Sequence, residues 1–406
     1  MQRNDIRANS PWYAMRLAKK PFGLFGVLAA AGLMAVAWLQ AESASFMTTG
    51  IAKTGTEASA QIITLTDQRG KPLALARPAT RIIAIPIPLA SLLMAVDGGT
   101  ARIAGMNAAA RSDLSDGLLG RMFPQARMIP TEIAGDDFVP NVEALAAARP
   151  DLVLQWGDRG EAIIAPMQQL DIPVLGLVYG DSLLAADWLR LTGKAIGKAE
   201  RGEKLARWFE TSVAQLARMA ATIPDREKPR VLYLMRARTG LTVAGKGSSM
   251  DSDIRRMGGR NPAAAETAFA QISVEQLLAW NPDVLLLNNF EGGLGPEELY
   301  RDSRLRGLKA VAERRVYGYP RGGFRWDPPS QETPLSQAWL FQVLHPEREK
   351  MAGDLRAQLV EAYRELYGYA LTPSEVDEVL RLKDNGGSLH YRALFAARTT
   401  SPLARQ

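Results

Sequence analysis

Val142–Trp156 reads V-E-A-L-A-A-A-R-P-D-L-V-L-Q-W, and Val274–Asn288 reads V-E-Q-L-L-A-W-N-P-D-V-L-L-L-N. Aligned without gaps, seven of the 15 positions agree: Val142/Val274, Glu143/Glu275, Leu145/Leu277, Ala147/Ala279, Pro150/Pro282, Asp151/Asp283 and Leu154/Leu286. The second copy lies 132 residues downstream of the first, about one small domain and well outside the period of a solenoid. Each copy predicts a short helix, a Pro-Asp turn and an apolar run. Asn141 and Ser273 stand where helix N-caps are wanted, and Ser273 with Gln276 forms a capping-box pair. Proline stops the helix. An apolar run without alternation fits a strand buried on both faces, as in a parallel sheet. The fold class read from the repeat is α/β, with two lobes of related design.

Outward from the repeat, the strand–helix alternation continues. Ile62–Thr66 and the following Asp67-Gln68-Arg69-Gly70-Lys71 predict a hairpin, and Arg81–Ile87, Arg102–Met106, Asp151–Gln155 and Val174–Val178 predict first-lobe strands. Val231–Met235, Val284–Leu287 and Val316–Tyr319 predict second-lobe strands. Between the two sets, Leu205, Phe209, Val213, Leu216 and Met219 recur at helical steps, the stripe of one long connector helix. Thr372-Pro373-Ser374-Glu375 predicts a capped helix start.

Composition bounds the remainder. A chain of 406 residues supports two domains with cores of their own. Arg3, Arg7, Arg16, Lys19 and Lys20, the apolar run Phe22–Leu39 and then Ala41-Glu42-Ser43 have the layout of a cleaved signal peptide. The length of the apolar run leaves an uncleaved inner-membrane anchor as the alternative. Residues 1–43 hold five of the 49 Lys/Arg and two of the 43 Asp/Glu, leaving 44 against 41. The net positive charge is thus partly a leader effect, and no basic stripe interleaved with aromatics points to nucleic acid. Zero cysteines exclude disulfides, thiolate metal sites and a lipid-modified N-terminal cysteine. The expected division is signal peptide 1–43, flexible lead-in 44–60, N-terminal α/β lobe 61–181, connector helix 182–222, C-terminal α/β lobe 223–346, helical extension 347–383 and disordered tail 384–406.

Few residues suit catalysis or metal binding. The two histidines, His345 before a proline and His390 in the tail, read as structural or solvated, and no Ser/His/Asp order or HExxH occurs. No cofactor and no resident metal are expected. Gly240–Lys246 fits GxxxxGK, but Gly247 replaces the magnesium-binding Ser or Thr, and Leu241–Ala244 reads as a strand. Ligands of parallel sheets bind beyond the carboxyl ends of the strands. Trp156, Arg159, Tyr179, Arg236, Arg238, Lys246, Arg321 and Arg325 stand at such ends or in glycine turns, and Trp326 either walls the same cleft or packs under the last helix. Basic and aromatic residues at one sheet edge suit an anionic, bulky ligand, although each alone also reads as solvated loop charge. Glu143 and Glu275 hold equivalent first-turn helix positions. Either alone suits the helix dipole; the matched pair also suits docking onto a two-fold partner with cationic side chains.

From Ile62 to Glu347 the chain resembles the substrate-binding proteins of iron-complex, haem and cobalamin ABC importers. The resemblance rests on Thr66–Leu73 (T-D-Q-R-G-K-P-L), Ala79–Ile85 (A-T-R-I-I-A-I), both V-E-x-L-x-A-x-x-P-D segments, Leu241–Met250 (L-T-V-A-G-K-G-S-S-M) with Met257–Asn261, Arg315–Pro320 and Leu344–Glu347. Tyr363–Leu380 looks like the branch that handles metal complexes or oxyanions. The resemblance implies two Rossmann-like lobes with parallel sheets, joined by one rigid connector helix. It also implies a monomer whose Glu143 and Glu275 meet arginines of the ABC importer's permease dimer. The expectation is a periplasmic receptor for a ferric siderophore, with molybdate or tungstate, cobalamin or haem as alternatives; Tyr179 stays open as a haem ligand. From another class, an enzyme would gather Asp158, Asp181, Glu291 and Asp327 into one pocket, and an uncleaved leader would mark an anchored sensor.

Overall fold

The computed structural model describes residues 62–397 except position 136. The expected signal peptide (1–43) and lead-in (44–60) lie outside the described residues, as do residues 398–406.

The hairpin pairs β1 (Ile63–Thr66) with β2 (Pro72–Leu75), antiparallel. Four strands form the first sheet: β3 (Ile82–Ala84), β4 (Ile103–Met106), β5 (Leu152–Trp156) and β6 (Val174–Leu177). Their order is β4-β3-β5-β6 and every pairing is parallel. The second sheet contains β7 (Val231–Arg236), β8 (Leu241–Val243), β9 (Ala270–Ile272), β10 (Val284–Leu287) and β11 (Val316–Gly318) in the order β11-β10-β7-β8-β9. Here β7, β10 and β11 run parallel, and β8 and β9 add an antiparallel edge. Its three parallel strands are those whose apolar runs predict parallel pairing. The short edge strand β9 is only half-covered, so it carries no such run.

The two copies of the repeat fold alike, atom by atom. Helices Val142–Ala148 and Val274–Trp280 are capped by Asn141 and Ser273, whose side chains accept the N–H groups of Ala144 and Gln276. Each helix ends on a left-handed residue, Arg149 at φ 45° and Asn281 at φ 40°, just before the proline. The following aspartates have one job in both lobes. Asp151 accepts the backbone N–H groups of Thr80 and Arg81, at 2.9 and 2.8 Å, where the chain enters β3. Asp283 accepts that of Arg230, at 2.7 Å, where the chain enters β7. Each carboxylate therefore ties its own strand to the central neighbour. Burial pushes both acidities down, but the donors outweigh it and both pKa values are lowered from 3.8.

Segment 182–222 holds two helices, Leu184–Ala195 and the 23-residue Ala199–Ala221. They pack so closely that a Cβ on Gly193 would stand 2.8 Å from the Cα of Gly202, which explains the small residues at the crossing. The long helix is the connector. It buries Leu205, Phe209, Val213 and Leu216 as expected, and its stripe ends on Ala220 in place of Met219.

The tail needs correction. Residues 384–397 are folded, not disordered: Tyr391 and Phe395 are fully buried on the short helix Tyr391–Phe395. Asn385 both accepts from and donates to the backbone of Gly318 at 2.7 and 2.9 Å, completing the outer edge of β11. Trp339 donates to Tyr391 at 2.9 Å. An edge strand is a liability unless covered, and here a polar-looking tail covers it. The capped helix expected at Thr372 is present as Pro373–Val379, with both halves of the capping box formed.

Two predictions follow from these contacts. Asp151→Ala and Asp283→Ala should each cost about 1–3 kcal/mol at pH 7. Because the folded pKa values are depressed, this stability exists above the unfolded value and disappears as pH falls through the lower folded value. Urea titrations at pH 7 and pH 3 should show a smaller gap between the variants and the parent at the lower pH. Ending the chain after Lys383 should lower Tm by about 5 °C or more, whereas a disordered tail would leave Tm unchanged.

Candidate ligand site between the two sheet edges

β5 is buried from Leu152 to its last residue, Trp156, so the first side chains free to meet a ligand stand just beyond it. Trp156 packs edge-on against Phe138, Tyr179 and Trp188, with ring centres 6.4, 5.6 and 5.6 Å apart. Its indole N–H is buried and meets no acceptor among the described residues. Arg159 lies over this group, its guanidinium carbon 4.8 Å from the centre of Phe138, 5.5 Å from Trp156 and 5.9 Å from Tyr179. A guanidinium on aromatic faces is held in position without a hydrogen bond to the rings.

The second lobe repeats the device. β7 is buried from Val231 to Met235, and Arg236 is its first half-exposed residue. Arg236 and Arg325 each lie 4.8 Å from the ring centre of Phe290. Arg325 Nε is 3.0 Å from Asp113 Oδ2, and Arg321 is 3.7 Å from Asp113 and 3.8 Å from Asp116. Asp113 and Asp116 belong to the first-lobe helix Ala108–Asp116, so these pairs span the lobes. Burial raises the pKa of Asp113 against the pull of Arg325 and Arg321.

A clasp joins the lobes nearby. Arg256 forks onto Asp181 at 2.7 and 2.8 Å and also reaches Asp253 at 2.9 Å. Asp253 accepts further from Ser182 at 2.5 Å and Gln337 at 2.7 Å. Burial pushes its carboxyl up to about 7 despite these donors. Tyr179 adds a 3.3 Å contact to Ser249.

The structure brings Trp156, Arg159 and Tyr179 into one cluster and Arg236, Arg321 and Arg325 into another. Others stand apart. Arg238 is exposed and paired with Glu298 at 2.9 Å, and Lys246 is exposed at the turn after β8. Trp326 takes the second of its two readings. It is buried, donating at 2.8 Å to Glu332, a fully buried acid that also accepts from Tyr363 and Tyr367 at 2.9 and 2.6 Å. This packing consumes the indole N–H. Gly322 is required beside it, since a Cβ there would overlap Glu332. Sequence reading missed Phe138, Phe290 and Asp113. Only the neighbouring Asn289-Phe290 and Asp137-Phe138 loops after apolar strands or turns hinted at the two rings.

The acids that would mark an enzyme do not converge. Asp158 is exposed, Asp181 pairs with Arg256, Glu291 accepts from Ala237 and Asn288 at 2.9 and 2.7 Å, and buried Asp327 accepts from Tyr233. Two surface depressions, of about 480 and 300 Å³, lie at the opposite, amino-terminal ends of the sheets. In the first, Asp97 already pairs with Arg102 at 3.0 Å and Lys198 at 2.7 Å. The second holds both histidines, with His345 2.9 Å from the Met257 carbonyl. No group of three His, Cys, Asp or Glu suited to a metal ion occurs among the described residues. No helix among them is long and apolar enough to cross a membrane.

Glu143 and Glu275 are exposed in the first turns of their helices, and neither makes an ion pair among the described residues. The acidity of Glu275 is strengthened by the Ser273 side chain and its own backbone N–H.

A family model described as "Periplasmic binding protein" matches residues 127–321. A solved periplasmic solute-binding protein from Veillonella parvula is 31% identical, with a TM-score of 0.72 over 80% of this chain and 98% of that one. The molybdate-binding protein MolA of Haemophilus influenzae is 24% identical over 263 residues, 59% of this chain and 73% of that protein. The Fe(3+) dicitrate-binding periplasmic protein FecB of Escherichia coli is 28% identical over 243 residues, 56% of this chain and 72% of that protein. With its two α/β lobes and long connector helix, and with relatives that are binding proteins rather than enzymes, the chain belongs to the periplasmic binding protein family and is a binding protein of ABC importers.

Proposed function

We propose that the chain captures an anionic iron chelate of the ferric siderophore kind and delivers it to the permease dimer of an ABC importer. The observation that carries this reading is the pair of arginine–aromatic clusters, one in each lobe: Arg159 over Phe138, Trp156 and Tyr179, and Arg236 with Arg325 over Phe290. A ferric chelate is bulky and flat-sided, and carries carboxylate, catecholate or hydroxamate oxygens. Aromatic faces suit its body, and guanidinium groups suit its oxygens. The Fe(3+) dicitrate relative supports this cargo.

A second reading, molybdate or tungstate, is favoured by the MolA relative and by the same guanidinium donors. Haem held through histidine fits poorly, because His345 and His390 line the depression at the far end of the second sheet. Tyr179 remains as a phenol beside the site, though Ser249 already engages it. Cobalamin lacks the anionic groups that would use several arginines.

Glu143 and Glu275 supply the docking contacts in this reading. Two exposed carboxylates in equivalent positions, one per lobe, match a two-fold permease dimer that offers one cationic group per subunit.

Metal analysis and an absorption spectrum of protein purified from its native periplasm should show iron with a chelate charge-transfer band. Molybdenum without iron, or a haem or corrin band, would contradict the ferric reading. Replacing Arg236 and Arg325 with Ala should weaken ferric-citrate binding by about ten- to hundredfold. Reversing both glutamates, Glu143→Lys with Glu275→Lys, should abolish uptake while leaving Kd within about twofold, as charge-reversal at a rim suits. Unchanged transport would refute docking through these residues.

A further inference from the structure

The contact between Asp113 and two arginines carries an inference that rests on the anionic-cargo reading and deepens it. Asp113 stands on the first-lobe helix Ala108–Asp116, while Arg321 and Arg325 follow β11 of the second lobe. The side chains of Asp113 and Arg325 are only 13% and 12% exposed, and that of Arg321 is 26% exposed. Arg321 also donates to the Asp113 main-chain carbonyl at 3.2 Å. The three residues form one partly buried group across the lobes.

The group is close but badly directed. Asp113 Oδ2 and Arg325 Nε stand 3.0 Å apart. Yet both atoms, together with Arg321 Nε, are buried and form no well-aligned hydrogen bond among the described residues. Arg256 shows what this chain does when an ion pair is built to hold: it forks onto both oxygens of Asp181 at 2.7 and 2.8 Å. Planar guanidinium groups reward such two-oxygen acceptors, and buried donors without one are costly. Burial also works against the Asp113 charge. A single, misaligned and desolvated carboxylate is therefore a weak occupant of strong donors. An incoming acceptor with several correctly spaced oxygens is a better one.

We propose that Asp113 and an anionic cargo compete for the guanidinium groups of Arg321 and Arg325, so that Asp113 is a specificity-determining residue. It acts as a threshold: cargo with several carboxylate or oxyanion groups displaces it, while a small anion with a single carboxylate does not. Such rejection is selectivity by a built-in competitor. Exchange also replaces a direct bond between the lobes by a bond through cargo.

The test measures ferric-citrate affinity by tryptophan-fluorescence titration and calorimetry, with acetate as the competing small anion. Asp113→Asn should bind ferric citrate about tenfold more tightly, and acetate should inhibit the variant at concentrations that leave the parent unaffected. Asp113→Ser should behave in the same way, and adding Arg325→Met to either should erase the gain. Native-like melts with unchanged or weaker binding in both variants would overturn the proposal, because Asp113 would then be positioning the guanidinium groups. Failure of both variants to fold would overturn it too, since a carboxylate needed by the fold cannot be surrendered to cargo. If neither ferric citrate nor molybdate binds the parent or any variant, the anionic-cargo reading itself fails.

Discussion

The constraint on which the structure depends is that its parallel strands are buried on both faces. β5, β6 and β10 expose no residue, and β7 exposes only its last. A strand in that position cannot carry polar chemistry along its length, because buried charge is costly without a partner. Functional groups must therefore wait until the strand ends. That is where Arg159, Tyr179, Arg236 and Arg325 of the proposed site stand. The same constraint explains the repeated aspartate. Asp151 and Asp283 sit at the opposite strand ends and use their charge on the backbone of the neighbouring strand.

Two such sheets make a receptor only if their carboxyl edges are held face to face. The Arg256 clasp does this, together with Ser182, Gln337 and the long helix Ala199–Ala221. Breaking one member of a buried charged group usually costs more than the group contributes as a whole. The clasp is thus a device for fixing lobe geometry and says little about total stability. The contacts of Asp113 are of another quality. They cross the same gap with poor alignment.

Much of the fold was legible in the chain. The apolar runs gave the parallel strands, the two N-caps gave the repeat helices, and helical periodicity gave the connector. What stayed hidden depends on partners distant in sequence. Trp326 looked equally suited to cleft or core, and only Glu332, Tyr363 and Tyr367 decide for the core. The tail looked disordered by composition, but Asn385 finds the outer edge of β11 and Tyr391 finds Trp339. Within the proposed site, the grouping of Arg236, Arg321 and Arg325 was legible because they lie at or beyond strand ends. Phe138, Phe290 and Asp113 were not, because each acquires its role from a residue in another element.

The most direct measurement is a crystal structure of the protein with ferric citrate, with the iron located by its anomalous scattering. The account predicts one iron between the carboxyl edges of the two sheets, with chelate oxygens on Arg236 and Arg325 and the ring of Tyr179 as an aromatic wall. Iron bound at either amino-terminal depression, or between the lobes without an arginine contact, would contradict it.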